Sequence, residues 1–199
     1  MLIAFEGPDN VGKSTSASAL TSFDSHIYNA TKANHRRAQV AMGDEAATLV
    51  QTFDRVDWFT HMVYRLAFPQ RDWNDDRPRT VFAMPDTHFV LKMHHPLMVD
   101  RIEDLEDGIE AGKLAAANEM YYYQFDFLTQ LNVYKEFALF KTMSIVEVAN
   151  DPTTGSFHQK LVAFSSPYES WTRDMVLHRL VDDDKSLLEF LREEDRKIG

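Results

Sequence analysis

The chain has no cysteine, so it can form neither a disulfide nor a thiolate metal centre, and nothing in it calls for an oxidising compartment. Long hydrophobic runs are missing too: no stretch approaches the roughly 20 apolar residues that span a bilayer. The opening segment lacks the basic region of a secretory leader, and Glu6 interrupts its apolar run. The expectation is a cytoplasmic protein without membrane contact. Basic charge is in short supply, with 21 Lys and Arg against 31 Asp and Glu and a net charge of −10. A protein that holds long nucleic acid usually shows a basic face, so this balance argues against a polynucleotide partner. A small anionic ligand needs only a few local cations. There is no internal repeat, low-complexity tract or linker, and 199 residues with 44% hydrophobic content fit one domain with a substantial core.

What is present is concentrated at the start. Leu2 to Phe5 is an unbroken apolar run, as expected of a strand buried on both faces of a parallel sheet. Gly7 to Ser14 then reads G-P-D-N-V-G-K-S, which satisfies G-x-x-x-x-G-K-[ST] at each fixed position. Gly7 and Gly12 allow the tight turn that points the N–H groups of Asn10, Val11, Gly12, Lys13, Ser14 and Thr15 at phosphate oxygens. A helix from about Lys13 to Ser22 adds its positive end. In such a loop Lys13 reaches the β- and γ-phosphates of ATP and the Ser14 hydroxyl is a ligand of Mg²⁺.

Further along, His26 to Ala30 is a short candidate strand. Asn34 to Val40 looks helical and brings His35, Arg36 and Arg37 together, either as a solvated face or as a substrate-phosphate contact. Ala46 to Phe53 reads as a buried strand followed at once by Asp54 and Arg55. In open α/β sheets the ligand lies beyond the carboxyl ends of the strands, so this pair faces the same crevice as the phosphate loop. Asp54 can then orient an attacking group or hold water on Mg²⁺, and Arg55 can bind a phosphate. A strand-end ion pair or helix cap is the plainer alternative, because Asp57 to Phe68 begins an amphipathic helix.

In that helix Trp58, Phe59, Met62, Tyr64 and Leu66 are mostly core by spacing, with one or two free to form a slot for a flat base. Gln70 to Arg79 is a polar loop. Thr87 to Met93 is the next strand, closed by His94 and His95, for which no acidic or thiol partner at ligand spacing suggests a metal. Leu97 to Ile109 reads as a charged helix running on through Gly108 and Gly112, a natural lid or an ordinary helical hairpin. Ala115 to Phe140 has the spacing of one long core helix, Met143 to Ala149 of a central strand. Phe157 to Phe164 has ambiguous periodicity. Pro167 to Leu180 and Ser186 to Lys197 read as helices.

The segment Phe5-Glu6-Gly7-x-Asp9-x-x-Gly12-Lys13-Ser14-Thr15 resembles the opening of thymidylate kinases, and Asp54-Arg55 after a strand resembles the D-R motif of that family and of deoxynucleoside kinases. The order of elements is similar over roughly Met1 to Asn150, and the compact layout is similar to that of phage-encoded nucleotide kinases. The resemblance implies an α/β fold of the P-loop NTPase type: three layers, α/β/α, with a parallel central sheet and a helical lid at about residues 97–118. It implies transfer of the ATP γ-phosphoryl group to a deoxynucleoside monophosphate, dTMP first and a 5-modified deoxyuridine monophosphate next, with ATP and Mg²⁺ required and a homodimer as the assembly. Asp9 would touch the acceptor sugar, Arg55 its 5′-phosphate, and Asp54 would sit near Mg²⁺.

Two departures stand out. The phosphate loop has Asn10-Val11 and no arginine, which leaves the lid to supply one, Arg101 before Lys113. The stretch between the first helix and the D-R strand is short, which leaves the base open, with Trp58, Phe59 and Tyr64 as candidates for stacking. A deoxynucleoside kinase, in which Asp54 would act as a base, and a non-catalytic nucleotide switch are the alternative readings. Formation of dNDP rather than dNMP separates the first, and acceptor-independent binding the second.

Overall fold

The structure is a computed structural model and describes residues 1–22, 27–29, 49–72, 81–96, 99, 112–132, 138–151, 156–167 and 183–198. In chain order its elements are β1 (Leu2–Glu6), α1 (Lys13–Leu20), β2 (Ile27–Asn29), β3 (Gln51–Asp54), α2 (Asp57–Ala67), β4 (Met84–His94), α3 (Lys113–Asn132), β5 (Phe140–Asp151), β6 (Ser156–Ser165) and α4 (Asp184–Ile198). The strands form one sheet in the order β2-β3-β1-β4-β5-β6. All neighbours are parallel except β5 and β6, which pair antiparallel.

Strand alternation sorts the side chains into two cores. Ile3 and Phe5 of β1 and Val90 of β4 pack with Ala17 and Leu20 of α1 and with Leu187, Phe190 and Leu191 of α4. Ala4, Phe89, Leu91 and Met93 face the other way, onto Trp58, Phe59 and Val63 of α2 and Tyr121, Phe125 and Leu128 of α3. The result is the expected α/β/α sandwich. β1 lies between β3 and β4, so the chain leaves β1 to one side of the sheet and returns to the other. The crevice of a doubly wound sheet opens where connections diverge in this way.

Several boundaries differ from the sequence reading. The helix expected from Ala115 to Phe140 begins at Lys113 and ends at Asn132, and Phe140 opens β5. One side chain joins the two elements: Asn132 Oδ1 accepts from the N–H groups of Leu139 (2.7 Å) and Phe140 (2.9 Å), and its Nδ2 donates to the Phe140 carbonyl (3.1 Å). A buried amide at the last described residue of the helix thus anchors the start of the next strand. Within the apolar run before the D-R pair the described strand is Gln51–Asp54, with Asp54 inside it, while residues 46–48 lie outside the described residues. The ambiguous stretch at Phe157 to Phe164 is β6, the antiparallel edge. The candidate helices at 34–40 and 167–180 and most of the lid lie outside the described residues. No helix among the described residues is long and apolar enough to cross a membrane.

Candidate active site

The first loop follows β1 at the carboxyl edge of the sheet. Gly7 has φ +138°, and a Cβ there would lie 1.9 Å from the Lys92 carbonyl oxygen, so only glycine lets the loop pass over β4. Asn10 (φ 64°) and Gly12 (φ 75°) are also left-handed, and Gly12 is the N-cap of α1. These turns aim the loop and the first turn of the helix into a cleft of about 610 Å³, lined by Asp9, Asn10, Gly12, Lys13, Ser14, Thr15, Asp54 and Arg55. Lys13 is buried and its ammonium donates to the Pro8 carbonyl. Burial, with the Arg55 charge nearby, pulls Lys13 down to about 8. A polyanion in the cleft would favour the charged ammonium and oppose that shift.

The second loop follows β3. Asp54 is buried, and its Oδ2 accepts from the Ser14 hydroxyl at 2.6 Å. The two are hard oxygen donors at the mouth of the phosphate loop, a set suited to Mg²⁺, which takes one or two protein oxygens and completes its shell with phosphate and water. Among the described residues no cluster of three or more acidic or histidine side chains offers a full protein cage. Arg55 adopts φ +80°, and its N–H donates to the Phe5 carbonyl at 2.9 Å. Its guanidinium donates to Asp9 Oδ1 (2.6 Å), to the Tyr121 hydroxyl (3.3 Å) and to the Gly7 carbonyl (3.4 Å). Burial works against the Arg55 charge, but Glu6, Tyr121, Tyr64 and Asp9 outweigh it and hold the group fully cationic.

Behind these residues lies a layer that sequence reasoning did not assign to the site. Glu6 is fully buried, and burial raises its carboxyl above the usual range against the pull of Arg55 and of the Thr60 and Val56 hydrogen bonds. The fully buried Tyr121 hydroxyl reaches Glu6 Oε2 at 3.3 Å. His94 donates from Nε2 to the Asp9 carbonyl at 2.8 Å, and burial keeps its ring neutral. Asn118 donates to the His94 carbonyl at 3.5 Å. An acidic residue closing an apolar strand just before the loop glycine was the available signal for Glu6. Tyr121 gave none, because its helical spacing is that of an ordinary core aromatic.

Of the expected site residues, Asp9, Asn10, Gly12, Lys13, Ser14, Thr15, Asp54 and Arg55 share one cleft. Val11 turns its side chain inward at 0% exposure, leaving its backbone as the part able to meet a ligand. Tyr64 stands at the edge, its hydroxyl 3.5 Å from Asp9 Oδ2; burial and the Asp9 charge push it up to about 12. Trp58 is a correction. It is core, stacked on Phe140 with centroids 6.0 Å apart and planes 18° apart, so it offers no face to a base. Phe59 is likewise fully buried. Arg101 lies outside the described residues, and Lys113 opens α3 without lining the cleft.

The arrangement is chemically specific. It sets a glycine-bearing loop, a buried lysine and a helix N-terminus beside a hydroxyl–carboxylate pair, and in the same cleft a second cation, the fully charged Arg55. Such a site can hold a polyphosphate on one side and a second anion on the other. No protein-family profile matches the chain, and no curated protein matches it in sequence. Among solved structures it is similar to the YorR protein of Bacillus subtilis in complex with phosphorylated GDP, at 15% identity over 64% of this chain and 80% of that one, with a TM-score of 0.43.

Proposed function

We propose that this protein is an ATP-dependent nucleoside monophosphate kinase, with a deoxynucleoside monophosphate, dTMP foremost, as acceptor. One observation supports the reading: the cleft that holds Lys13 is also lined by Arg55, whose guanidinium is a second cation beside the phosphate loop. A monophosphate acceptor brings a second phosphate for that cation to bind, whereas a nucleoside acceptor brings none. The phosphate loop would bind the ATP triphosphate, with Lys13 on the β- and γ-phosphates and Ser14 and Asp54 as the groups to hold Mg²⁺, which when bound neutralises charge on the phosphates. Arg55 would bind the acceptor 5′-phosphate and Asp9 its sugar.

In the reaction an oxygen of the acceptor phosphate attacks the γ-phosphorus, the bond from that phosphorus to the bridging oxygen breaks, and ADP leaves. A phosphate nucleophile is already an anion, so no general base is needed. Asp54, committed to the Ser14 hydroxyl, is not asked to be one. Most of the rate then comes from positioning and charge stabilisation.

The test is ADP formation from ATP and Mg²⁺ against a panel of nucleosides and nucleoside monophosphates. Stimulation by monophosphates with dNDP as product is the expected result, and a maximum with dTMP sharpens it to a thymine pocket. Stimulation by nucleosides with dNMP as product would replace it with a nucleoside kinase. ATP binding without stimulation by any acceptor would remove the small-molecule kinase altogether.

A further inference from the structure

The cleft is carried by two loops, one after β1 and one after β3, and a single buried carboxylate ties them together. Glu6 Oε2 accepts from the Gly7 N–H at 3.1 Å and the Tyr121 hydroxyl at 3.3 Å. Its Oε1 accepts from the Val56 N–H and from the Thr60 hydroxyl, each at 2.5 Å. Four donors converging on two oxygens is the pattern of an ionised carboxylate. Gly7 begins the phosphate loop, and Val56 follows Arg55. The same group therefore fixes the start of one loop and the end of the other.

Tyr121 extends that hold to the guanidinium. A guanidinium only donates and an ionised carboxylate only accepts, so the Tyr121 oxygen accepts from Arg55 Nη1 and its hydrogen goes to Glu6. The other strong partner of Arg55 is Asp9, whose side chain is 56% exposed and which the proposed function turns toward the acceptor sugar. Once Asp9 turns, the groups left on Arg55 include the buried Tyr121 hydroxyl, the Tyr64 hydroxyl at the cleft edge and the long Gly7 contact at 3.4 Å. Neither Glu6 nor Tyr121 can touch a substrate, since both are at 0% exposure.

We infer that Glu6 and Tyr121 are positioning residues: they hold the Arg55 guanidinium toward the acceptor phosphate and make its orientation depend on the phosphate loop. The inference rests on the reading of Arg55 as the acceptor arginine. It explains why a non-glycine residue keeps a left-handed backbone here: the Glu6 bond to Val56 N–H and the Phe5 bond to Arg55 N–H clamp it from both sides.

Tyr121→Phe in the full chain tests this, because it removes one hydroxyl and leaves the ring in the core. The expected result is a KM for the acceptor monophosphate raised about tenfold, equivalent to about 1.4 kcal/mol, with the KM for ATP unchanged and kcat within about threefold. Tyr123→Phe, on the exposed face of the same helix, should leave every constant as it is. Glu6→Gln sets an amide donor against loop N–H groups and is expected to raise both KM values. A Tyr121→Phe enzyme with an unchanged acceptor KM overturns the inference and leaves the kinase reading standing. So does an equal rise in both KM values with a lowered melting temperature, which marks a purely structural hydroxyl. Wild-type protein that turns over no monophosphate overturns the kinase reading and this inference with it.

Discussion

Strand β4 carries two buried histidines on one face, His88 and His94, and the two ends of the sheet use them in opposite ways. At the amino end His88 is closed off: Nδ1 bonds Thr142 Oγ1 at 2.8 Å and Nε2 bonds Asp195 Oδ1 at 2.9 Å, while Lys141 reaches the same carboxylate at 2.5 Å. Both ring nitrogens of His88 find their partners inside the protein. At the carboxyl end His94 spends one nitrogen on the Asp9 carbonyl, and its Nδ1 makes no hydrogen bond among the described residues. Around it Lys13, Asp54 and Arg55 face a cleft. Polar groups that satisfy one another stabilise a fold, whereas groups aimed at empty space hold capacity for something that is not protein.

Interposed between the histidines, Lys92 shows the same rule in transition. Its ammonium donates to Ser16 Oγ at 2.6 Å and lies 3.6 Å from Asp184, which also accepts from Ser16 at 2.7 Å. Burial lowers Lys92 from its ordinary range, and Asp184 opposes that shift. Buried Lys92 and half-buried Asp184, with Ser16 between them, fasten α4 to β4 and α1. The loop is thus supported from below by a closed network and left open above.

The sharpest way to break this contrast is at Lys13. Lys13→Ala should lower ADP formation with a monophosphate acceptor by on the order of a thousandfold, with the melting temperature held or slightly raised because a buried charge is gone. Full activity would end the phosphate-loop account. Next in size, Arg55→Ala should cut kcat/KM for the acceptor by about a hundredfold while the KM for ATP changes little. Intact acceptor turnover would show that the second cation serves the fold and not a ligand.

The histidines themselves give the most direct comparison. His88→Ala strands Thr142 and leaves Asp195 to Lys141, and should cost about 2 kcal/mol in a urea titration, with kinetic constants unchanged. His94→Ala should cost less stability, about 1 kcal/mol, and raise the acceptor KM several-fold by loosening Asp9. The reverse pattern would mean that the two ends of the strand have been read the wrong way round.

The smallest effect concerns acid. Burial works against the Asp195 charge, but hydrogen bonds and charge from His88 and Lys141 prevail and hold the carboxyl down to about 2, against an ordinary 3.8. A depressed carboxyl stabilises the fold above its unfolded value and loses that contribution as pH falls toward the folded value. The stability difference between wild type and Asp195→Asn should therefore be full above pH 4 and shrink between about pH 4 and pH 2. Urea midpoints measured across that interval decide it. A constant difference would detach Asp195 from the His88 cluster.

Much of this protein was determined by short stretches of sequence acting locally. The apolar run at Leu2, the glycines at 7 and 12, and Lys13-Ser14 specify strand, turn and helix start within a few residues, because each depends on backbone freedom and burial at that spot. Asp54 and Arg55 were legible for the same reason: a charged pair closing an apolar strand lands at the carboxyl edge of any parallel sheet.

Other features depended on partners far along the chain, and there only the tertiary structure could decide. Trp58 looked like a ligand slot until Phe140, from a strand the sequence had absorbed into a helix, stacked against it. Nothing local showed that Asn132 would anchor the strand that begins at Phe140, since its partners are backbone groups of Leu139 and Phe140. Glu6, Tyr121 and Arg55 stand 115 and 66 positions apart in their hydrogen-bonded pairs. Residue type states what a side chain can donate or accept, but packing determines which groups meet and which are left facing the cleft.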